Sequence, residues 1–467
     1  MELRKSPLWL DIKKIFDAPS GTCRYEYTAM IHTTEQDFMA TQVVQVDMIR
    51  DYQNQIGDQI FIDLLLPLGD YIKRLYPYRT NLEVTLTRKP LFAVSGSSNP
   101  DSDNEVERYK AIFLPAENEH PQGQDITQYD KPSLDLADVR TVRLQLLNRS
   151  LEPLRIKTVG GVYKKVTAQD LLQALLVAES QKVLVDGKPA IDGMDLYEAS
   201  NPESKAHVIV PHGTLVHYIP TYIQEQLYGV YNAGIGTYLQ TYNNKRLWFV
   251  YPLYNTARYT TDKKTKAVFY AVPEKDYPVV ELTYRLNGDV LYALALGHKL
   301  YSDKAETDQM SQGIGFRQID ARSFMKKPVE VKKDGPEAVR NQLATEVVAV
   351  SREDNLNYAP MSENRISSNP FLQYSQVAAR QGGRIDIQWY YADPNQLFPG
   401  MACQYVYLDG EEVRRVNGVI LKVYAAIKLD GIGIGTKRHR TDCVISIFAE
   451  KHPPTPNTAP ATSTTFT

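Results

Sequence analysis

The residues that could do chemistry are few, and their spacing does not serve it. Gly431, Gly433 and Gly435 resemble part of a dinucleotide loop. Such a loop must lead from a strand into a helix whose N-terminus faces the phosphates, and here a strand is expected next. Gly234 with Gly236 and Gly313 with Gly315 fail for the same reason, and no GxxxxGK[ST] loop occurs. His207, His212 and His217 lie five apart. On a continuous strand that odd spacing turns His212 to the opposite face, and Pro211 with Gly213 interrupts the strand there. The pattern therefore predicts solvent or interface histidines and no metal site. Lys437, Arg438, His439 and Arg440 form the dense basic cluster. It precedes the last strand and reads as a solvated loop, with phosphate contact as the alternative. Carboxylates are scattered, a linear sequence cannot pair them for acid–base work, and no GxSxG elbow is present. The reading expects no catalytic residue, no metal and no cofactor.

The elements around these residues are mostly strands. Arg384 to Tyr391 alternates, with Ile385, Ile387, Trp389 and Tyr391 on one face. Asp409-Gly410 supplies a tight turn, and Val413 to Ile427 and Thr441 to Ala449 complete a run of antiparallel strands that reads as self-contained. Strands are also predicted at 25–31, 42–49, 59–66, 81–87, 91–94, 109–114, 207–216, 247–254, 267–272 and 290–296. Thr260 to Lys266 reads as a hairpin tip and Asn287-Gly288 as a tight turn. Helices are predicted at 11–16, as a single turn capped by Asp70, from Thr167 with a capping box to Asp170, from Pro336 with Val339, Leu343, Val347 and Val350 at helical spacing, and from Asn369-Pro370. The resulting units are a tube-like β-barrel domain at 1–165, a helical insertion at 166–206 and an aromatic-rich β domain at 207–335. A helical connector at 336–383, a C-terminal β domain at 384–452 and a Pro/Thr-rich tail at 453–467 follow. The fold class is mainly β (α+β), with tandem antiparallel barrels and inserted and flanking helices.

Composition bounds the function. A length of 467 residues implies several cores. The net charge of -2, from 53 basic and 55 acidic residues, gives no bulk field toward nucleic acid or anionic lipid. Cys23, Cys403 and Cys443 are far apart, which argues against a disulfide framework or a cysteine metal site and predicts folding in a reducing cytoplasm. No apolar run approaches the ~20 residues of a spanning helix, and Met1 to Trp9 has no apolar signal core, so neither membrane insertion nor standard export is expected. The 31 tyrosines against 13 phenylalanines suit either strands or surfaces that become buried against a partner. Tyr218, Tyr222, Tyr228, Tyr231, Trp248, Phe249, Tyr251 and Tyr254 are the candidate assembly interface.

The N-terminal β-block, the aromatic middle around Tyr218-Ile219-Pro220 and 247–254, and the strands from Arg384 together resemble baseplate hub proteins of contractile-tailed bacteriophages. That resemblance implies two tube-like barrels per subunit and a homotrimer, with a sixfold tail tube on one side and a threefold central spike on the other. It also implies contact with baseplate wedge proteins, DNA passing without specific binding, and a place in the virion after synthesis in the host cytoplasm. Another tail-tip adaptor would share these features. A cell-wall carbohydrate-active enzyme would instead need two acids facing one cleft.

Overall fold

The computed structural model describes residues 6–17, 24–91, 105–114, 139–277, 283–301, 315–320, 345–350, parts of 369–379, 382–410, 412–431 and 437–450. Strands β1 (Arg24–His32), β2 (Asp37–Met39), β3 (Gln42–Asp51), β4 (Gln59–Pro67), β5 (Leu82–Pro90), β6 (Glu105–Leu114) and β7 (Val139–Asn148) come first. An inserted unit carries β8 (Thr158–Val166), β9 (Leu184–Val185), β10 (Lys188–Pro189), β11 (Gly193–Leu196), β12 (Lys205–Leu215), β13 (Ile235–Tyr242) and β14 (Lys245–Pro252). Then follow β15 (Lys266–Val272), β16 (Tyr284–Asn287), β17 (Val290–Tyr301), β18 (Gly315–Asp320) and β19 (Thr345–Val350). The chain closes with β20 (Gly382–Tyr390), β21 (Ala402–Asp409), β22 (Glu412–Leu429) and β23 (His439–Glu450).

Fourteen strands form one sheet that closes on itself twice. The first ring runs β22, β3, β4, β7, β6, β5, β1, β23 and returns to β22, with every neighbour antiparallel. The second runs β15, β21, β22, β23, β20, β17 and returns to β15 through parallel pairs on both sides of β15. Both barrels are therefore walled by the same long hairpin, β22 with β23. Each strand of that hairpin changes its outer partner once. Strand β22 pairs with β21 up to Val419 and with β3 from Lys422 onward. At the handover its register against β23 shifts, Met401 accounts for the Ile420 N–H, and the Tyr52 N–H donates to the Leu421 carbonyl at 2.9 Å. A bulge bends a strand locally, which is what a strand leaving one barrel wall for another requires. Strand β23 pairs with β1 at His439 and Arg440 and with β20 from Asp442 onward.

Alternation builds the first core. In β1, β4 and β5 every second residue is buried, and Ala29, Ile31, Ile62, Leu64, Leu66, Leu82 and Val84 fill the first barrel with Val46, Leu144 and Ile427. The second barrel is filled by Phe269, Leu291, Ile385, Ile387, Trp389, Tyr405, Ile445 and Ile447. Strand β15 is buried on both faces, because Val268, Tyr270 and Val272 meet Leu8, Ile12 and Ile15 of helix α1 (Leu8–Asp17). A strand covered on both sides reads as a continuous apolar run, and this one does.

Several expectations are corrected here. The strands at 384–450 are not self-contained, since they complete both barrels. Residues 260–266 make no hairpin, because β14 pairs with β11 and β13 while β15 enters the second barrel. Thr345–Val350 is a strand on Gly315–Asp320, where a helix was expected, in keeping with the strand preference of its three valines. Asp70 makes no side-chain cap, although Tyr71 and Leu75 are buried in the turn it precedes. The capping box of Thr167 and Asp170 is present, and Leu171, Leu172, Leu175 and Leu176 are buried behind it. The tight turns at Asp409-Gly410 and Asn287-Gly288 both join antiparallel neighbours, with positive φ at each glycine. Of the basic, glycine-rich loop, residues 432–436 fall outside the described residues, as do the tail and most of the connector, whereas Lys437 and Arg438 are exposed and His439 and Arg440 already belong to β23, His439 being buried.

Candidate functional site

The proposed interface residues separate into two groups. Trp248, Tyr231 and Tyr251 are fully buried and Phe249 is 2% exposed. These four are internal to the subunit, which corrects their place in an assembly surface. Strand β14 lies between two cores. Trp248 and Val250 face the inserted unit, whereas Phe249 and Tyr251 face the second barrel. Their polar tips are used internally as well. Trp248 Nε1 donates to Ser180 Oγ at 3.1 Å, Tyr231 OH to the Tyr197 carbonyl at 2.6 Å, and Tyr251 OH to the Tyr52 carbonyl at 3.3 Å. Gly400, at φ +68°, lets the Tyr251 ring lie directly against the backbone, where an added Cβ would come within 2.1 Å of it. The aromatic run thus records a doubly covered strand, the reading that strand preference alone also allowed. Tyr222, Tyr228 and Tyr254 are half-buried, and Tyr218 is 41% exposed. Tyr218 and Tyr222 lie beside each other with ring centroids 6.4 Å apart.

The expected histidine trio does not converge into a site. His207 and His212 are exposed on β12, His217 is half-buried beyond it, and burial lowers the His217 pKa. Among the described residues no three acidic, histidine or cysteine side chains gather as a metal would require. Cys403 and Cys443 are buried free thiols whose pKa burial raises.

Sequence reasoning missed a polar chamber at one end of the first barrel. A cavity of about 1000 Å³ opens there between β3, β5 and β6, the 393–396 turn of the second barrel, and the β13–β14 hairpin of the inserted unit. Asp393, 3% exposed, is its centre. It accepts from Arg88 Nη2 at 2.8 Å, from Tyr25 OH at 3.1 Å and from Gln396 Nε2 at 3.2 Å. Arg88 also reaches Glu105 and lies over the Tyr25 ring. Arg50 donates to Asp58 at 3.1 Å and to the Pro394 carbonyl at 2.9 Å. Burial works against both guanidinium charges, but the combined pull of the neighbouring acids and phenols outweighs it and raises both pKa values. Burial also raises the Glu107 carboxyl above its ordinary range, opposed by the hydrogen bond from Tyr109 OH. One signal for this chamber was present: Arg88 occupies the inward register of Leu82, Val84 and Leu86. Asp393, in a short turn, gave none.

Asp58 and Glu107 face this one chamber, as a two-acid glycosidase would require. Both are already engaged: Asp58 holds Arg50 and Tyr238 OH, and Glu107 holds Tyr109 OH, Thr241 Oγ1 and Asn148 Nδ2. These contacts tie the first barrel, the second barrel and the inserted unit together at the chamber. His439, from the basic cluster, also serves the structure. Its Nε2 donates to the Val43 carbonyl at 2.8 Å while Nδ1 accepts from the Tyr27 N–H at 3.4 Å, so the neutral ring stitches β23 to β3 and β1. Burial lowers its pKa.

No family model matches the chain. No curated protein matches it either. Solved structures do. A tail protein from Neisseria meningitidis MC58 is 9% identical, covers 91% of this chain and 97% of its own, and gives a TM-score of 0.44. An Escherichia coli component of the type VI secretion system, described as similar to the T4 bacteriophage tail proteins gp27 and gp5, is 8% identical over 90% of this chain and 77% of its own, with a TM-score of 0.43. The 43 kDa tail protein of prophage MuSo2 from Shewanella oneidensis is 8% identical over 90% of this chain and 96% of its own, with a TM-score of 0.45.

Proposed function

We propose that this protein is a structural virion component, a baseplate hub whose trimer forms a ring between a sixfold tail tube and a threefold central spike. The observation that carries the reading is the pair of closed barrels in one chain, fused through β22 and β23. Two barrels per subunit make six barrels in a trimer, which reconciles threefold with sixfold symmetry without a second gene product. Both barrels are packed with side chains, so DNA would pass along the axis between subunits and not through a barrel. A net charge of -2 suits a conduit that does not retain phosphates. No described helix is long and apolar enough to cross a membrane.

In this reading the protein acts by assembly and carries no catalytic residue. Tyr218, Tyr222, Tyr228 and Tyr254 remain as interface candidates, with tube, spike and wedge proteins as partners. Synthesis takes place in the host cytoplasm and the finished protein resides in the virion. A tail-tip adaptor with the same barrels is the second reading, favoured if the protein assembles with a stoichiometry other than three. Sedimentation equilibrium of the full chain over a wide concentration range tests the proposal. A trimer supports the hub. A strict monomer, together with turnover of purified cell wall, contradicts it.

A further inference from the structure

We propose that the outer face of the β8–β12 ribbon is a docking surface for an acidic, apolar extended segment of a partner protein; this rests on reading the chain as an assembly component. Among the described residues the two strands pair only with each other. Val159, Val208 and Val210 turn inward to the core of the inserted unit, so the opposite face is left to solvent. That face is not polar. Val162 is 62% exposed and sits directly across from Ile209, which is 64% exposed, and Leu215 lies further along the same face opposite Thr158. Ile156, at the end of the preceding helical turn, is 78% exposed. Isolated apolar side chains on a surface need no explanation, but a cross-strand apolar pair continued along one ribbon face does.

The charge around the pair says what fits it. Lys164 is directly opposite His207, Lys205 opposite Val166, and Lys165 follows Lys164 in an exposed left-handed conformation at φ 51°. Lys205 is paired with Glu203, while Lys164 and Lys165 have no ion-pair partner among the described residues. A segment with carboxylates on either side of apolar residues would meet the lysines and cover Val162 and Ile209 together. The ribbon's edges are guarded against plain strand addition, since Pro211 and a register shift break β12 and the consecutive lysines Lys164 and Lys165 lie within β8. The face, not the edge, is therefore the surface offered.

The test titrates the full-length protein with a labelled short peptide in which a central run of Val is flanked on both sides by Glu, so that one face of the extended peptide carries both, with the Lys-flanked counterpart as the control. The expected result is binding of the Glu peptide alone, weakened by salt and reduced at least about tenfold by Ile209→Glu and by Lys164→Glu. Both positions are exposed, and thermal melting checks that each variant keeps the wild-type fold. Absence of binding, binding by both variants as tight as that of the wild type, or preferential binding of single-stranded DNA or phosphatidylglycerol vesicles overturns the proposal. Native mass is read separately, so loss of the trimer contradicts the hub and loss of peptide binding contradicts the ribbon.

Discussion

The two barrels share a wall and differ in how they are built. In the first, β3 to β7 are linked by antiparallel neighbours, and only the closing hairpin comes from the far end of the chain. In the second, β15 joins β17 and β21 in parallel, so residues 267–270 pair directly with residues more than a hundred positions later. The first core is mostly aliphatic and ends in a polar chamber; the second interleaves its aliphatic residues with large rings such as Phe269, Trp389 and Tyr405. The lesson is that neither barrel can close before residues 412–450 are present, because both use the same two strands.

The largest expected effect follows from that dependence. A chain ending at Gly410 lacks both closing strands, leaving β3, β1, β21 and β20 with open edges. It should show no cooperative thermal transition and rapid proteolysis across both barrels; a stable fragment spanning β1 to β7 would break the comparison. Next comes Trp389→Ala. The ring is fully buried in the second barrel, with Nε1 donating to Thr283 Oγ1 at 3.1 Å. The cost should be about 3–5 kcal/mol in urea denaturation. Asp393→Ala should cost about 3 kcal/mol, because it strands the buried Arg88 guanidinium. Asp393→Asn should cost less, and equal stability of wild type and Asp393→Ala would refute the role of the chamber as a joint.

The smallest effect sharpens the seam between the barrels. The folded-state pKa of His439 is lowered by burial, so below about pH 6.5 the unfolded chain binds a proton that the folded seam rejects. Stability contributed by the neutral ring is present above that pH and declines as pH falls toward the folded-state value. His439→Gln should flatten this acid slope in denaturation measured from pH 7.5 to 5, and an unchanged slope would show that another group sets it.

What the sequence made legible was local. Alternation in β1, β4 and β5, the capping box at Thr167 and the turns at Asp409-Gly410 and Asn287-Gly288 depend on residues close in the chain, and all are present. The parallel pairs of β15 and the double use of β22 have no local signature, because nothing in Lys266–Val272 names its partners. The aromatic run in β14 was visible, but covering by two cores and covering by a partner subunit demand the same residue types. The Asp393 chamber depends on three units meeting, and only the inward parity of Arg88 hinted at it.

The most direct test of the shared wall is native-state hydrogen exchange on Trp389→Ala, compared with wild type at the amides of β4 and β7. Neither strand touches Trp389, and both belong to the first barrel. If β22 and β23 couple the barrels, protection in β4 and β7 falls by about the same free energy as in β17 and β20. Unchanged protection in β4 and β7, with loss confined to the second barrel, would contradict the account.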